Sequence, residues 1–364
     1  MKDNKITLLE LETIIYFLAR GLCIGISLSG IIKIAGVDAW ISVLIGAIIG
    51  LIPFYIFNQL FLFEPNKNII EKNTLLFKGF VGKLINIILI LFCLSMLLVT
   101  LWNLTNFISS QYLYNTPQLF IAFVFTIPTI YLLSKSPKII GRTIFVFFLM
   151  EIILYGLSSI GLFNQIEINN LCPILENGFI PILKGSLVYA AYNVLPIFIF
   201  TIFPRNNILK INSNKSLKKN LLITYALSNL GIFLIIFYSI TIFGVELSKL
   251  YQYPLFQLLR RVEFGGFIQR AEATLSIHWI ISLFVFCFLC FFFIKEGLKN
   301  IFKNEKMINK IYPIIVVIIT YFSTLVFKNN TTANKFTYFI YNSLMGIFFF
   351  LIPLLIFIKA KNKR

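Results

Sequence analysis

The stretch "FLARGLCIGISLSGIIKIAG", residues 17–36, is apolar enough to cross a bilayer, yet it holds a charge at Arg20 and Gly21, Gly25 and Gly30 beside Ser27 and Ser29. A plain spanning helix needs none of these. A second run, "LKGSLVYAAYNVLPIFIF" at 183–200, is interrupted in the same manner by Gly185, Tyr189, Tyr192, Asn193 and Pro196. Each predicts a helix that breaks near mid-membrane, where freed backbone groups and half-helix ends can form a ligand site. Glycines also serve close helix packing, which is the reading given to "GAIIG" at 46–50.

The rest of the chain places these two helices. A mean hydropathy of +0.89 with 13% charged residues over 364 positions excludes an ordinary soluble domain. Ten apolar blocks are long enough to cross a hydrocarbon core of about 30 Å. They lie at 8–32, 40–63, 84–114, 117–134, 141–163, 180–203, 219–245, 272–294, 309–327 and 335–358. The third is over-long, so tilt or extension beyond the bilayer is expected. The first block is too long for a cleavable signal, so it is expected to act as its own insertion signal, with the N-terminus near Met1. One integral membrane domain, 1–364, follows, split into a first repeat at 8–163 and a second at 180–358. An interrupted helix opens each half, which is the pattern of a five-plus-five inverted repeat.

The net charge of +18 suggests nucleic acid only until it is placed against the membrane. Basic residues gather in alternate connections: Lys2 and Lys5; Lys67 to Lys83; Lys135 to Arg142; Arg205 to Lys219; Lys295 to Lys310; and Lys359 to Arg364. The positive-inside rule then puts both termini in the cytoplasm, and no nucleic-acid partner is implied. The segment "YQYPLFQLLRRVEFGGFIQRAEATLSIHW" at 251–279 goes against this trend with Arg260, Arg261 and Arg270 on the outer side.

Arg20 lies about 18 Å along the first helix at 1.5 Å per residue. A charge at a helix centre costs about 2.5–3.5 kcal/mol on insertion scales, so it needs a partner or a wet cavity. Glu151, about 12 Å deep in the fifth block, is the candidate partner. Arg20 could instead supply the fixed positive charge of a coupling cation, or meet a ligand carboxylate. Catalysis finds no support. His278, the one histidine, has no acid and nucleophile around it, and no phosphate-binding loop or metal motif is present. "CFLC" at 287–290 lies within an apolar block and reads as packing. No cofactor is expected, and no disulfide framework is implied.

Two runs carry a family resemblance: "GVDAWISVLIGAIIGLIP" from residue 36, with Asp38, Ala39 and Trp40, and the segment leading into the eighth block, with Tyr253, Pro254, Arg260, Arg270, Glu272 and Trp279. The chain resembles the spore germination permeases, the B subunits of nutrient germinant receptors, within the amino acid-polyamine-organocation superfamily. It departs from their pattern in reading "LLELETII" where a Gln is usual, in lacking a Pro near the first helix's glycines, and in carrying Arg20. The resemblance implies an all-α, LeuT-like amino acid permease fold in the spore inner membrane. It also implies a small nutrient ligand such as an amino acid, and two partners, a larger membrane subunit and a lipoprotein. The outer segment is expected to be ordered, latched by pairs such as Arg270 with Glu272. Gly21, Gly25, Ser27, Tyr189, Tyr192 and Asn193 are the expected ligand lining, with Asn103, Asn106 and His278 as weaker candidates. A secondary transporter working alone, and a structural subunit with a decayed site, are the competing readings.

Overall fold

A computed structural model describes residues 5–77, 79–209, 211, 213–263, 272–327, 329–337, 344, 346 and 350–362. Among these residues the regular structure is all helical apart from one pair of two-residue strands. Among the described residues, seven helical stretches are long and apolar enough to cross a membrane. They are Leu8–Leu62, Phe80–Gln111, Pro137–Gln165, Phe179–Ile202, Asn214–Leu250, Glu272–Phe302 and Glu305–Val326. The fourth predicted block forms a shorter apolar helix, Gln118–Leu133. The chain is therefore a polytopic membrane protein.

The first stretch is 55 residues long, over twice the roughly 20 residues a bilayer needs. It contains α1 (Leu8–Leu22), a π-turn (Cys23–Ser27), α2 (Leu28–Ala35), α3 (Ala39–Ile49) and α4 (Leu51–Leu62). Thr7 starts α1 with a capping box, its hydroxyl accepting from the Glu10 N–H while Glu10 Oε2 accepts from the Thr7 N–H at 2.7 Å. At Gly36 the backbone takes φ +61°, a conformation side chains resist, and α2 ends. The stretch then doubles back. α2 and α3 both pack on α9 (Phe179–Tyr189), while α1 and α4 both pack on the 3₁₀ segment Leu195–Ile202.

The remaining helices are α5 (Ile69–Leu76), α6 (Phe80–Gln111), α7 (Gln118–Leu133), α8 (Pro137–Leu162) and α10 (Asn214–Leu250). Then come α11 (Pro254–Leu259), α12 (Glu272–Leu275), α13 (Ile277–Phe302), α14 (Glu305–Val326), α15 (Asn330–Lys335) and α16 (Ile352–Lys361). α6 has 32 residues, about 48 Å, so the third block does outrun the hydrocarbon core. α10 is interrupted at Gly244, where φ is +71°.

Burial sorts centre from rim. In their most apolar windows, Phe179–Ile202 is 94% buried and Glu272–Phe302 is 89% buried, against 22% for Pro137–Gln165 and 28% for Glu305–Val326. The first two are central, and α8 and α14 turn much of their apolar surface outward, as lipid-facing helices do. β1 (Ile6–Thr7), just before α1, pairs in parallel with β2 (Ile208–Leu209), which follows the 3₁₀ segment.

Candidate functional site

Both interruptions read from the sequence are places where the helix changes its winding. α1 widens into the π-turn Cys23–Ser27, and α9 into a second π-turn, Ala190–Val194, followed by the 3₁₀ segment. The interruption is thus a change of helical geometry and not an extended break. Pro196 has no N–H to continue the ladder, and a π-turn leaves backbone groups without their usual partners. α1 packs against the 3₁₀ segment, α2 packs against α9, and the two π-turns touch. The two interrupted helices therefore lie antiparallel, with their irregular turns at one level.

Side chains reach these turns. Ser27 Oγ donates to the Cys23 carbonyl at 3.2 Å, and Asn103 Nδ2 of α6 donates to the Gly25 carbonyl at 2.5 Å. Asn103 Oδ1 and both amide atoms of Asn193 are buried without a hydrogen-bond partner among the described residues. An unmet buried amide costs about 1–3 kcal/mol, so its retention at a helix interruption marks a place where something else can bond. Gly21 and Gly25 face α13: a β-carbon on Gly21 would overlap Phe286, and one on Gly25 would come within 2.8 Å of Leu283. Tyr189 and Tyr192 lie at the second irregular stretch and donate to Asn229 Oδ1 at 2.5 Å and to the Thr337 carbonyl at 2.8 Å. In "GAIIG", a β-carbon on Gly46 would lie 2.7 Å from the Ser186 carbonyl oxygen, so this glycine permits close packing of α3 on α9.

Arg20 and Glu151 form a buried ion pair, Nε to Oε1 at 3.2 Å, with side chains 1% and 0% exposed. The guanidinium sits between the rings of Tyr16 and Tyr155, with Cζ 4.9 and 4.8 Å from their centroids. Tyr16 donates to Glu151 Oε1 at 3.3 Å, and Tyr155 donates to the Gly231 carbonyl at 2.8 Å. His278 lies edge-on to Tyr155 at 5.8 Å, and neither of its ring nitrogens has a partner among the described residues. A buried charge in lipid needs this kind of enclosure. Tyr16, Tyr155 and Gly231 were not singled out from the sequence, where only the i, i+4 spacing of Tyr16 and Arg20 linked any of them. Among the described residues no three His, Cys, Asp or Glu side chains are placed to hold a metal ion.

The outer segment is anchored by its aromatic side chains. Trp279 packs on Phe107 with ring centroids 3.9 Å apart and on Tyr253 at 5.4 Å, and Phe107 also meets Phe256. Tyr253 OH accepts from Asn106 Nδ2 at 2.6 Å. Asn106 also bonds Gln118 and Asn330, and Asn330 donates to Gln252, so α6, α7, the segment before α11, and α15 are joined. Burial raises the Tyr253 phenol above its usual range. Pro254 opens α11, Arg260 and Arg261 are exposed, and the Glu272 carbonyl accepts from Tyr112. Arg270, and with it the expected pair to Glu272, lies outside the described residues. Asp38 accepts from the Leu175 N–H at 3.0 and 3.1 Å, holding the loop before α9 to the turn after α2.

Comparison with known proteins agrees with the two sequence motifs. The family model described as spore germination protein matches residues 5–332. Spore germination protein KB of Bacillus subtilis is 25% identical over 91% of this chain and 89% of its own length. Spore germination protein XB of Bacillus anthracis is 24% identical over 91% of both chains. Spore germination protein YndE of Bacillus subtilis is 25% identical over 74% of this chain and 73% of its own.

Proposed function

The chain belongs to the family of spore germination proteins, and from that premise we propose that it is the membrane subunit of a nutrient germinant receptor. On this reading it binds a small nutrient, an amino acid, in the spore inner membrane and passes the change to a larger membrane subunit and a lipoprotein. Its architecture is the ten-helix, five-plus-five inverted repeat, with both termini cytoplasmic. The ligand site lies where the two π-turns meet. The observation that carries this is Asn193, fully buried at the second π-turn with no hydrogen-bond partner for either amide atom among the described residues. A zwitterionic nutrient has both acceptors and donors to offer it. Asn103 Oδ1 at the facing turn is a second unmet acceptor. The antiparallel apposition of the two interrupted helices supports the repeat.

The buried Arg20–Glu151 pair favours one other reading, an ion- or proton-coupled amino acid transporter acting without partners. Deleting the gene separates the two. Spores that no longer germinate on particular amino acids, from cells whose uptake of the same labelled amino acids is unchanged, establish the receptor. Lost uptake with normal germination establishes the transporter and sinks the receptor reading.

A further inference from the structure

α5 lies outside the spanning helices, on the face where α4 ends and α6 begins, and it sits between two turns taken at positive φ, +41° at Glu64 and +70° at Gly79. Its Lys72 is fully buried and donates to the Leu60 and Phe61 carbonyls at 2.8 and 3.2 Å. Those carbonyls belong to the last turn of α4, the negative end of its dipole, and Lys72 is their cap. Among the described residues no carboxylate lies within ion-pair distance of this nitrogen. A lysine buried without a paired carboxylate is unusual, since burial favours the neutral amine.

The capped residues lead to the second interrupted helix. Phe57 and Phe61 of α4 pack on Phe198 and Phe200 of the 3₁₀ segment, with ring centroids 5.3 and 5.1 Å apart, and α5 itself touches that segment. The 3₁₀ segment follows the π-turn Ala190–Val194 directly. A second tie holds α5 to α6: Asn73 Nδ2 donates to Asn86 Oδ1 at 2.9 Å, and Asn86 Nδ2 donates to the Ile70 carbonyl at 3.0 Å. Neither amide ionises, so of the two ties the one to α4 is the one that answers to pH.

We propose that Lys72 is a proton-operated latch: docking α5 on the end of α4 releases a proton from its amine, and undocking takes one up. In the docked position desolvation lowers the Lys72 pKa to about 7, with Glu64 and then Glu71 acting in the opposite direction. From the other elements packed on α5, α6 brings Lys83, α13 brings Lys295 and the Glu296–Lys299 pair, α16 brings Lys359 and Lys361, and the 3₁₀ segment brings no charge. Undocked in water, the amine regains its usual value of 10.5. Undocking therefore takes up a proton between these values, and acid favours it. Below about 7 the lysine is charged in both positions and the dependence ends. In the orientation proposed above this face is cytoplasmic, so the latch reads cytoplasmic pH and passes it through the phenylalanine rings toward the second π-turn. The latch itself is independent of the nutrient reading, because it concerns other residues and is tested on the isolated protein.

The test uses the full chain in nanodiscs, with spin labels at Thr74→Cys on α5 and Arg142→Cys on α8, and Cys172→Ser to remove the exposed native thiol. Distances between the labels are read by double electron–electron resonance from pH 9 to pH 6. The ratio of undocked to docked protein is expected to rise about ninefold from pH 9 to 8 and about fivefold from pH 8 to 7, then to level off. Circular dichroism that stays constant over the same range separates release of α5 from unfolding. Lys72→Met, which cannot take up the proton, should keep one distance at every pH. Lys72→Arg, charged throughout, should give the undocked distance at every pH; if that variant does not fold, the unsubstituted lysine and Lys72→Met still decide. A distance that does not change between pH 9 and 7, or a change that persists in Lys72→Met, overturns the proposal.

Discussion

Gly231 leaves room for Arg20: a β-carbon built on this glycine of α10 would overlap the guanidinium Nη1. The buried charge of α1 is therefore accommodated by a missing side chain on a helix more than two hundred residues away in sequence. Gly231→Ala forces the guanidinium out of its slot or α10 away from α1. Overpacking of this kind costs about 1–3 kcal/mol, and a lower melting temperature of the purified protein is the expected result. An unchanged melting temperature would mean that Arg20 has room to move.

Glu151 compensates Arg20, and breaking such a pair from one side is expected to cost about 3–5 kcal/mol, because the remaining charge stays buried. Arg20→Met alone and Glu151→Leu alone should each lower abundance in the membrane, while the double variant should recover most of it. Additive losses in that double-mutant cycle would show that the two residues do not act as a pair.

Asn193 offers the clearest separation of stability from response. Its amide has no partner to lose among the described residues, so Asn193→Leu should leave the melting temperature equal or higher. The same variant should abolish germination on the cognate nutrient. A stable Asn193→Leu protein that responds normally would remove this residue from the ligand site.

Lys72 provides a pH dependence outside the membrane-spanning helices. Its ammonium is fully buried, donating to the Leu60 and Phe61 carbonyls at 2.8 and 3.2 Å, and desolvation lowers its pKa from 10.5 to about 7. Between these values the unfolded chain holds a proton that the folded chain has released, so stability rises with pH from about 7 to 10.5. Below about 7 both states are charged and the burial penalty is felt in full. The contribution is at most roughly 1.4 kcal/mol per pH unit. Melting of the wild type should climb from pH 7 to 9, and Lys72→Met should flatten that climb.

Trp279 holds the outer segment to α6, and Trp279→Ala should cost about 3–5 kcal/mol through the cavity left against Phe107. Tyr253→Phe should cost less, about 1 kcal/mol, through the lost bond to Asn106. The reverse order would place the anchoring in the polar network.

What the sequence made legible follows from the solvent. In lipid, apolar runs must be helices, and a lone charge such as Arg20 must find a lone partner, so Glu151 was within reach of argument. Asn193 and Pro196 inside an apolar run signalled an interruption because neither suits a helix interior there. The form of the interruption was not legible, since π and 3₁₀ winding depart from the α-helix by only a one-residue lengthening or shortening of each hydrogen bond, and no residue type marks which is taken. Neither was the slot at Gly231 nor the tyrosine sandwich. Both depend on which helices are neighbours, and Tyr155 and Gly231 are ordinary residues of spanning segments. Tyr189 and Tyr192 read as ligand lining by position, and the partners to which their hydroxyls donate, Asn229 and Thr337, were not legible because they come from α10 and from the chain that follows α15.

The short pairing of Ile6 with Ile208 and Thr7 with Leu209 joins the residues just before one interrupted helix to those that follow the other. Two rods fastened at one end behave as tongs. While that fastening holds, the gap between the π-turns can widen only by splaying at the far tips, and leverage applied there is reduced toward the joint. The polar bonds of Asn106, Gln118, Tyr253 and Asn330 lie on α6, α7, α15 and the outer segment, and α6 also reaches the first π-turn through Asn103, so that helix ties the outer segment to the gap the tongs enclose.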